Sequence, residues 1–142
     1  MTAPLGETSL KTLLSTLTPV LDPETYVFVT LPSGAEPPPL ADVRLLFRER
    51  EGLTLVTTLA TATARGMEHA FRSRMITLDV HSSLEAVGFM AVVAARLAAR
   101  GMGVNPVSGF FHDHLFVPEG REAEAVEELE QLALEHGCRG SI

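Results

Sequence analysis

The sequence predicts an α+β fold, and three observations carry this prediction. Segments rich in β-branched and aromatic residues, typical of strands, alternate with amphipathic stretches of helical spacing. The order of these elements in the second half of the chain is partly repeated in the first half. The chain has 142 residues, of which 46% are hydrophobic, so it is long enough to bury a core without disulfide or metal.

The first half begins with a short helix and continues with a strand. The helix is predicted over Ser9–Leu17, where four leucines recur at helical spacing, and Pro19 follows its end. The strand is predicted over Tyr26–Leu31, which is β-branched and aromatic. The segment Pro32–Pro39 holds four prolines and is predicted to be a loop or a short polyproline stretch.

A β-hairpin is predicted next. Two apolar runs, Val43–Phe47 and Leu53–Thr57, flank the charged segment Arg48–Gly52, which is typical of a hairpin with a charged tip. The following segment, Thr58–Arg65, fits either a short helix or a continued extended chain.

The second half begins with a strand and a longer helix. Met75–His81 alternates in polarity and predicts a strand. Ser82 and Glu85 have the spacing of a capping box, which predicts a helix over Leu84–Arg100 that ends at Gly101. The predicted apolar stripe of this helix comprises Val87, Met90, Ala91, Ala94, Leu97 and Ala98, and Phe89, Val92 and Val93 widen it beyond what one sheet face needs.

A second hairpin and a last helix follow. The hairpin is predicted from Val104–Phe111 and His114–Val117, with its turn near His112 and Asp113. Arg121–His136 predicts an amphipathic helix with a solvated acidic face.

The order strand, helix, strand, strand, helix is one strand short of a ferredoxin-like βαββαβ unit. The first half repeats this order, but the proline loop stands where the first helix of the unit belongs. We expect the helix at Ser9–Leu17 to fill that vacant position. The chain is therefore predicted to contain a degenerate first module, residues 1–70, and a better-matched second module, residues 71–142.

Composition excludes several classes of function. Eleven basic residues against eighteen acidic ones give a net charge of −7, which argues against nucleic-acid partners. The start of the chain lacks the basic and apolar regions of a signal peptide, and the most apolar stretch, Ala86–Ala99, is too short to span a bilayer. We expect a cytoplasmic protein without a membrane partner. Cys138 is the only cysteine, so an internal disulfide and a thiolate metal cage are excluded, and its place near the chain end argues against catalysis there.

One place in the second half suggests a binding site. Gly88 is predicted to lie just inside a helix, where glycine costs about 1 kcal/mol relative to alanine. A helix N-terminus favours a carboxylate, and Glu85 or Asp113 is available to accept an ammonium group, so an α-amino acid fits. Two alternatives stay open: Gly88 serves only close helix packing, and Glu85 serves only the capping box.

Other polar residues nearby have both a functional and an ordinary interpretation. Asn105 precedes a proline and marks a strand start, and Ser108 precedes a mid-strand glycine, which suggests a bulge or a close backbone approach. His112 and His114 have a spacing that a metal accepts on a strand, but a hairpin tip spoils that geometry and no third ligand is near in sequence, so the pattern favours ordinary turn residues. No G-x-S-x-G elbow, P-loop or G-x-G-x-x-G motif is present, so we predict no catalytic residue, no metal and no cofactor.

The segment Ile76–Pro118 resembles an ACT domain, a small βαββαβ module that binds amino acids and regulates metabolic enzymes. The resemblance is carried by features common to the strand, helix and hairpin of that module: Gly88 near the start of the helix, Leu97-Ala98 at its end, Gly101–Asn105, Val107-Ser108 and His114–Pro118. The aspartokinase-like branch, in which two ACT modules lie side by side, fits best.

The whole chain is similar to a family of small stand-alone bacterial tandem-ACT proteins of unassigned function. This similarity is carried by Lys11–Leu14, Leu21–Pro23 and His81–Phe89. The resemblance implies a regulatory, non-catalytic protein that senses an amino acid or related metabolite at an ACT–ACT interface. It also implies a homodimer or higher oligomer, which we expect to bury the broad apolar face of the helix over Leu84–Arg100, and an enzyme or transporter as the regulated partner. The candidate ligand-binding residues are Ser83, Leu84, Glu85, Ala86, Val87, Gly88, Asn105, Ser108 and Asp113. The alternatives are an ACT-like oligomerisation scaffold that binds no ligand and a small metal-dependent enzyme using His112 and His114.

Overall fold

The structure is a computed structural model that describes residues 6–139 of the chain. The expectations for residues 1–5 and for the side chain of Cys138 lie outside the described residues. In chain order the elements are α1 (Leu10–Thr16), β1 (Pro19–Leu31), a 3-10 turn (Leu40–Asp42), β2 (Leu45–Arg48), β3 (Leu53–Thr58), α2 (Leu59–Ala64), β4 (Ala70–Leu78), α3 (Phe89–Ala98), β5 (Asn105–Ser108), β6 (Asp113–Pro118) and α4 (Glu122–Arg139).

The chain forms two compact units that are not two consecutive halves. The central unit is Pro23–Arg74, and the terminal unit consists of the described residues up to Asp22 together with those from Met75 onward. Strands β1 and β4 each include residues of both units. A module boundary near residue 70 stays a prediction.

The central unit is built around an antiparallel sheet with strand order β2-β3-β1. The predicted hairpin is confirmed: β2 pairs with β3 from Leu45↔Val56 to Arg48↔Leu53, and β3 pairs with β1 from Tyr26↔Thr58 to Leu31↔Leu53. Helix α2 settles the open choice after β3, because the Thr58 hydroxyl caps it by accepting the Thr61 amide at 3.1 Å. The buried core of this unit is Val27, Val29, Leu55 and Ala62.

The terminal unit contains strands in the order β4-β6-β5 and the helices α1, α3 and α4. The second predicted hairpin is confirmed, with β5 and β6 antiparallel from Asn105↔Phe116 to Ser108↔Asp113. Its turn is residues 109–112, a little earlier than predicted, because Asp113 already pairs in β6. The core is made of buried apolar residues from strands and helices, among them Ile76, Leu78, Val93, Leu97, Leu115, Val117, Leu129 and Leu132.

Helix α1 does not occupy the vacant position in the first module, so that expectation was wrong. Its residues Leu13 and Leu14 and the adjoining Leu17 are buried in the core of the terminal unit, together with residues of α3 and α4. The physical reason is that the apolar face of α1 finds its cover among the buried residues of that core, which include Val93 and Leu97 of α3 and Leu129 and Leu132 of α4.

Helix α3 is shorter than predicted, and its buried face differs from the predicted stripe. It begins at Phe89, after Gly88 in a left-handed conformation with φ of 90°. The buried residues are Phe89, Val93 and Leu97, whereas Val87 of the predicted stripe lies before the helix and is 83% exposed. The apolar stripe therefore started from the wrong residue.

The two long strands extend beyond their predicted N-termini. Strand β1 starts at Pro19 and includes Pro23, because the φ of proline suits an extended chain at a strand start or an edge. Strand β4 starts at Ala70, and Phe71 has a positive φ of 56°, a rare conformation for an aromatic residue.

Two arginines tie α4 to α3 and to the turn before α4. Arg96 donates to Glu128 at 3.1 Å and to both carboxylate oxygens of Glu135 at 2.8 Å, which raises the pKa of the Arg96 guanidinium further above its ordinary value. Arg121 donates to Glu124 at 2.9 Å, and this hydrogen bond lowers the pKa of the Glu124 carboxyl. Among the described helices, none is long and apolar enough to cross a membrane.

Candidate functional site

A small polar cavity lies in the terminal unit, where the loop after β4, the start of α3 and the β5–β6 hairpin meet. Its volume is about 110 Å³. Its walls combine four side chains with oxygen atoms and several apolar ones: Ser82, Ser83, Leu84, Ala86, Phe89, Met90, Ser108, Gly109 and Asp113. A water molecule occupies about 30 Å³ in the liquid, so the cavity suits a ligand of a few heavy atoms.

Asp113 is the charged group of this cavity. Its side chain is almost fully buried, with 8% of the residue exposed. The Ser108 hydroxyl donates to its Oδ1 at 2.6 Å, because the two residues face each other in the β5–β6 register. Among the ion pairs of the described residues, none includes Asp113. A buried carboxylate without a cation is costly unless hydrogen bonds compensate for the lost water, and Asp113 accepts from one hydroxyl, so this position favours a positively charged ligand group.

The N-terminus of α3 lies on another wall of the same cavity. The helix has ten residues, and Gly88 precedes it without a side chain that caps its amides. The first amide groups of a helix have no partner within the helix, and the helix dipole makes this end positive. Phe89 and Met90, the first two residues of α3, line the cavity, so this wall favours a negatively charged group.

The loop before α3 is held by short-range hydrogen bonds. The Glu85 amide donates to the Ser83 hydroxyl at 3.1 Å, and the Ala86 amide donates to the Ser83 carbonyl at 3.0 Å. The predicted capping box was wrong, because the helix begins after Gly88 and the Ser82 hydroxyl donates instead to the Ser83 carbonyl at 3.4 Å. Glu85 is exposed.

The segment before α1 is fastened to the same loop. The Glu7 amide donates to the His81 carbonyl at 2.7 Å, and the Ser83 amide donates to the Glu7 carbonyl at 3.0 Å. Gly6, with φ of 83°, lies so close that a Cβ atom there would be 2.9 Å from the Ser83 nitrogen. This bridge holds one wall of the cavity from outside.

The structure brings together only part of the predicted site. Five predicted residues line the cavity: Ser83, Leu84, Ala86, Ser108 and Asp113. Glu85 and Val87 point to solvent, Gly88 supplies backbone shape, and Asn105 lies at the other end of β5 from Ser108. The sequence suggested that Gly88 lacks a side chain to admit either a ligand or a packed helix. A Cβ at Gly88, however, would meet only the Leu10 side chain, at 3.6 Å. The left-handed φ is what requires glycine.

Four lining residues were not predicted from the sequence: Ser82, Phe89, Met90 and Gly109. Ser82 was assigned to the capping box, and Phe89 and Met90 were assigned to the body of a longer helix. The sequence signal for Phe89 and Met90 is the glycine directly before them, Gly88. A glycine followed by an apolar helical stretch is also typical of a helix that begins after a residue in the left-handed conformation.

The two histidines considered as metal ligands bind different partners. The Nδ1 atom of His112 is 3.2 Å from the Val80 carbonyl, whereas the Nδ1 atom of His114 is 2.9 Å from the Thr77 hydroxyl. Within residues 6–137, no group of three or more His, Cys, Asp or Glu side chains is arranged to hold a metal ion.

Exposed apolar side chains flank the cavity on two sides. Leu84 and Val87 lie on the loop before α3, and Phe110 and Phe111 lie on the β5–β6 turn. All four have about half or more of their surface exposed, with Val87 at 83%. We call these four residues the cavity rim.

Comparison with known proteins gives the class of the protein. A family model of the ACT domain matches residues 5–74, and a second ACT-domain model matches residues 70–131. A crystal structure of a protein of unknown function from Vibrio cholerae, described as a possible transport protein, is 39% identical, with a TM-score of 0.78 over 89% of this chain and 97% of that chain. The chain therefore belongs to the ACT-domain family as a tandem-ACT protein, and its fold is the predicted ferredoxin-like α+β fold in two ACT modules.

More distant structures share the fold alone. A protein from Agrobacterium tumefaciens is 18% identical, with a TM-score of 0.70 over 82% of this chain and 89% of that chain. The regulatory subunit of aspartate kinase from Thermus thermophilus, in its ligand-free form, is 11% identical, with a TM-score of 0.62 over 84% of this chain and 97% of that chain. The comparison with curated proteins gives no match. ACT domains are generally regulatory domains that bind small molecules and often oligomerise, which points to a regulatory, non-catalytic role.

Proposed function

We propose that this protein senses a free amino acid or a closely related small metabolite, without catalysing a reaction. The ligand binds in the cavity of the terminal unit, and its ammonium group pairs with Asp113. The observation that carries the proposal is this carboxylate, which is 8% exposed, lines the cavity and has a single hydroxyl donor in place of a cation.

The opposite charge of an α-amino acid fits the other wall. Its carboxylate is placed at the amides of Phe89 and Met90, where the helix end offers free N–H donors. A volume of about 110 Å³ is well below the roughly 300–1,000 Å³ of pockets for drug-sized ligands. The cavity therefore favours amino acids with small side chains over aromatic ones.

The cavity rim supports an ACT–ACT interface. Leu84, Val87, Phe110 and Phe111 expose apolar surface next to the ligand, and a second ACT module covering them removes both the rim and the ligand from water. In this proposal the protein is a cytoplasmic homodimer or higher oligomer. The apolar face of α3 does not serve this contact, since Phe89, Val93 and Leu97 are already buried in their own unit.

A separate enzyme or transporter reads the bound state. The chain resembles regulatory subunits in fold, and the Vibrio cholerae relative is described as a possible transport protein. For regulation, the ligand must bind the two states of the complex with different affinity. The module boundaries 1–70 and 71–142 are part of the proposal, and the family matches at 5–74 and 70–131 support them.

The direct test is a thermal-shift screen of the purified chain against the free amino acids. A ligand at about 100 times its Kd stabilises the folded state by about 2.7 kcal/mol, which is several degrees in Tm for a chain of this size. The variant Asp113→Asn keeps the shape of the side chain and removes its charge, so it is expected to abolish the shift. Asp79→Asn is the matched control, because Asp79 lies in the same unit outside the cavity with a largely exposed side chain.

The screen has an outcome that contradicts the proposal. If Asp113→Asn and wild type respond equally to the same amino acid, the ligand does not pair with Asp113. The stability of Asp113→Asn without ligand serves as the folding control, and it is expected to equal or exceed that of wild type, because an unpaired buried charge is removed.

The cavity rim also favours a second candidate, an oligomerisation scaffold that binds no ligand. Exposed apolar surface of this kind marks a protein contact whether or not a ligand is present. The scaffold predicts a flat amino-acid screen together with an oligomer or a co-purifying partner that Val87→Asp disrupts.

A further inference from the structure

A second cavity lies in the central unit, and it is larger than the one around Asp113. Its volume is about 400 Å³, within the usual range for small-molecule sites. One wall is the turn after β1, with Ser33 and Gly34, and the other is the β2–β3 hairpin, with Arg48 and Glu49. Leu53 is among the apolar residues that line it.

The two hairpins of the molecule are equivalent, residue by residue. In β2–β3 the pair before the turn is Arg48↔Leu53, and in β5–β6 it is Ser108↔Asp113. Both turns are closed by the same hydrogen bond, from the Glu49 amide to the Gly52 carbonyl at 2.8 Å and from the Gly109 amide to the His112 carbonyl at 2.9 Å. The central cavity therefore lies at the equivalent hairpin and strand-end loop of its unit, without the helix wall that α3 supplies to the Asp113 cavity.

The chemistry at this position is reversed between the two units. Leu53 stands where Asp113 stands in the other hairpin, so the central cavity has no carboxylate there for an ammonium group. Arg48 stands where Ser108 stands, and it brings a guanidinium. Arg48 is exposed where it lines the cavity, and within residues 6–137 it has no ion-pair or side-chain hydrogen-bond partner, so its donors face water and are available to a ligand.

The neighbouring acid, Glu49, does not form an ion pair with the Arg48 guanidinium. Glu49 accepts a hydrogen bond from the Thr54 hydroxyl, which holds its carboxylate on the hairpin itself. The negative charge of Glu49 still lies on the cavity wall, so a singly charged carboxylate is favoured over a doubly charged phosphate.

The two walls of the cavity are fixed against each other. A Cβ atom on Gly52 would lie 2.4 Å from the Leu31 carbonyl oxygen, so the hairpin turn rests directly on the end of β1. The Ala35 amide donates to the Pro32 carbonyl at 3.1 Å, which closes the turn that forms the other wall. The cavity is therefore formed before a ligand arrives.

We infer that the central cavity is a second ligand site, which takes a metabolite with a carboxylate group and binds that carboxylate through the guanidinium of Arg48. An arginine fork binds a carboxylate through two parallel hydrogen bonds. The two modules thus bind by opposite charges, Arg48 in one and Asp113 in the other. This inference stands whether or not the Asp113 site binds an amino acid.

The test is calorimetric titration of the full chain with propionate, a singly charged carboxylate, with L-alanine and with inorganic phosphate. Arg48→Ala is expected to weaken the affinity for a carboxylate ligand by about tenfold or more, the usual effect of removing a charged hydrogen-bond partner. Arg50→Ala is the matched control, since Arg50 lies on the same hairpin turn and does not line the cavity. Arg48→Lys keeps the charge without the fork and is expected to recover only part of the affinity.

The outcomes separate the inference from the proposed function. Loss of propionate binding in Arg48→Ala but not in Asp113→Asn supports a second site for a simple carboxylic acid. The same pattern for L-alanine supports an α-carboxylate as the bound group. Equal losses in Arg48→Ala and Arg50→Ala indicate only a general charge effect and overturn the inference, as does binding of phosphate alone or no binding of any of the three. A response that depends on Asp113 alone supports the proposed function and overturns the second site.

Discussion

Replacing Gly6 by alanine tests whether the segment before α1 is fastened to the cavity loop. Gly6 has φ of +83°, and an added Cβ would be 2.9 Å from the Ser83 nitrogen and 3.0 Å from a carbon of the His81 ring. Real Cβ atoms do not approach backbone nitrogen this closely, so the segment must move. Movement breaks the two bridge hydrogen bonds between Glu7 and the loop, at His81 and Ser83.

The expected loss in the free energy of unfolding follows from a comparison with Gly120. Gly120 has φ of +98° and nothing within 4 Å of its Cβ position, so Gly120→Ala carries the backbone cost alone. That cost is about 1–2 kcal/mol for a left-handed residue, partly offset by about 0.4–1 kcal/mol from the less flexible unfolded chain. Gly6→Ala adds the loss of two hydrogen bonds, each worth about 0.5–1.5 kcal/mol. We expect about 1 kcal/mol for Gly120→Ala and about 2–4 kcal/mol for Gly6→Ala.

Two measurements check this expectation. Urea denaturation gives the change in the free energy of unfolding for both variants. Hydrogen exchange at the amides of Glu7 and Ser83 reports whether the bridge itself has opened, and these amides are expected to exchange faster in Gly6→Ala only. Equal destabilisation by the two variants, with unchanged exchange at Glu7 and Ser83, would refute the reasoning.

Three further predictions concern the packing and charges of the terminal unit. Leu13→Ala removes a fully buried side chain and is expected to lower the free energy of unfolding by about 2–5 kcal/mol in urea denaturation. Arg96→Ala removes the paired hydrogen bonds to Glu135 and is expected to cost about 1–3 kcal/mol, and a double-mutant cycle with Glu135→Gln gives the coupling between the two side chains. The pKa of Glu124 is lowered in the folded state by the hydrogen bond from Arg121, so its stabilising effect is present above its ordinary pKa and is lost as the pH falls through the lowered pKa. Glu124→Gln is therefore expected to reduce the acid sensitivity of Tm.

Each of these predictions has a control in the same unit. Leu134→Ala removes an exposed leucine and is expected to change the stability by less than about 0.5 kcal/mol, so equal effects at positions 13 and 134 contradict the assigned core. Arg96→Lys keeps the charge and loses the fork, and a stability equal to wild type would show that only the charge matters. Glu127→Gln removes an exposed acid that has no resolved partner, so a change in acid sensitivity as large as that of Glu124→Gln would contradict the role of Arg121.

Most elements of the fold followed from local patterns of the sequence. The two hairpins alternate in polarity over short β-branched runs, and that period of two holds wherever one face of a strand is buried. The start of α3 did not follow. The segment before it has helical composition, and a glycine within such a stretch fits both a helix interior and a left-handed residue before a helix, so the local pattern does not decide between the two.

The candidate site was likewise predictable only where a local sequence pattern defines it. Asp113 was expected to accept an ammonium group because it is an acid on the second hairpin, and it does line the cavity. That it is buried without a cation depends on the packing of three separate segments. The role of Arg48 was hidden for a related reason, since a charged hairpin tip is typical of a solvent-exposed turn. Only the residue-by-residue equivalence of the two hairpins shows that Arg48 stands where Ser108 does.

The position of α1 in the terminal unit has a consequence for synthesis on the ribosome. Leu13, Leu14 and Leu17 are among the first core residues to be made, but their partners on α3 and α4 are among the last. The central unit, residues 23–74, is complete in the nascent chain long before α4 emerges. During that interval the leucines of α1 have no native cover. We therefore expect the nascent chain, rather than the finished protein, to be the form most prone to aggregation and most dependent on chaperones.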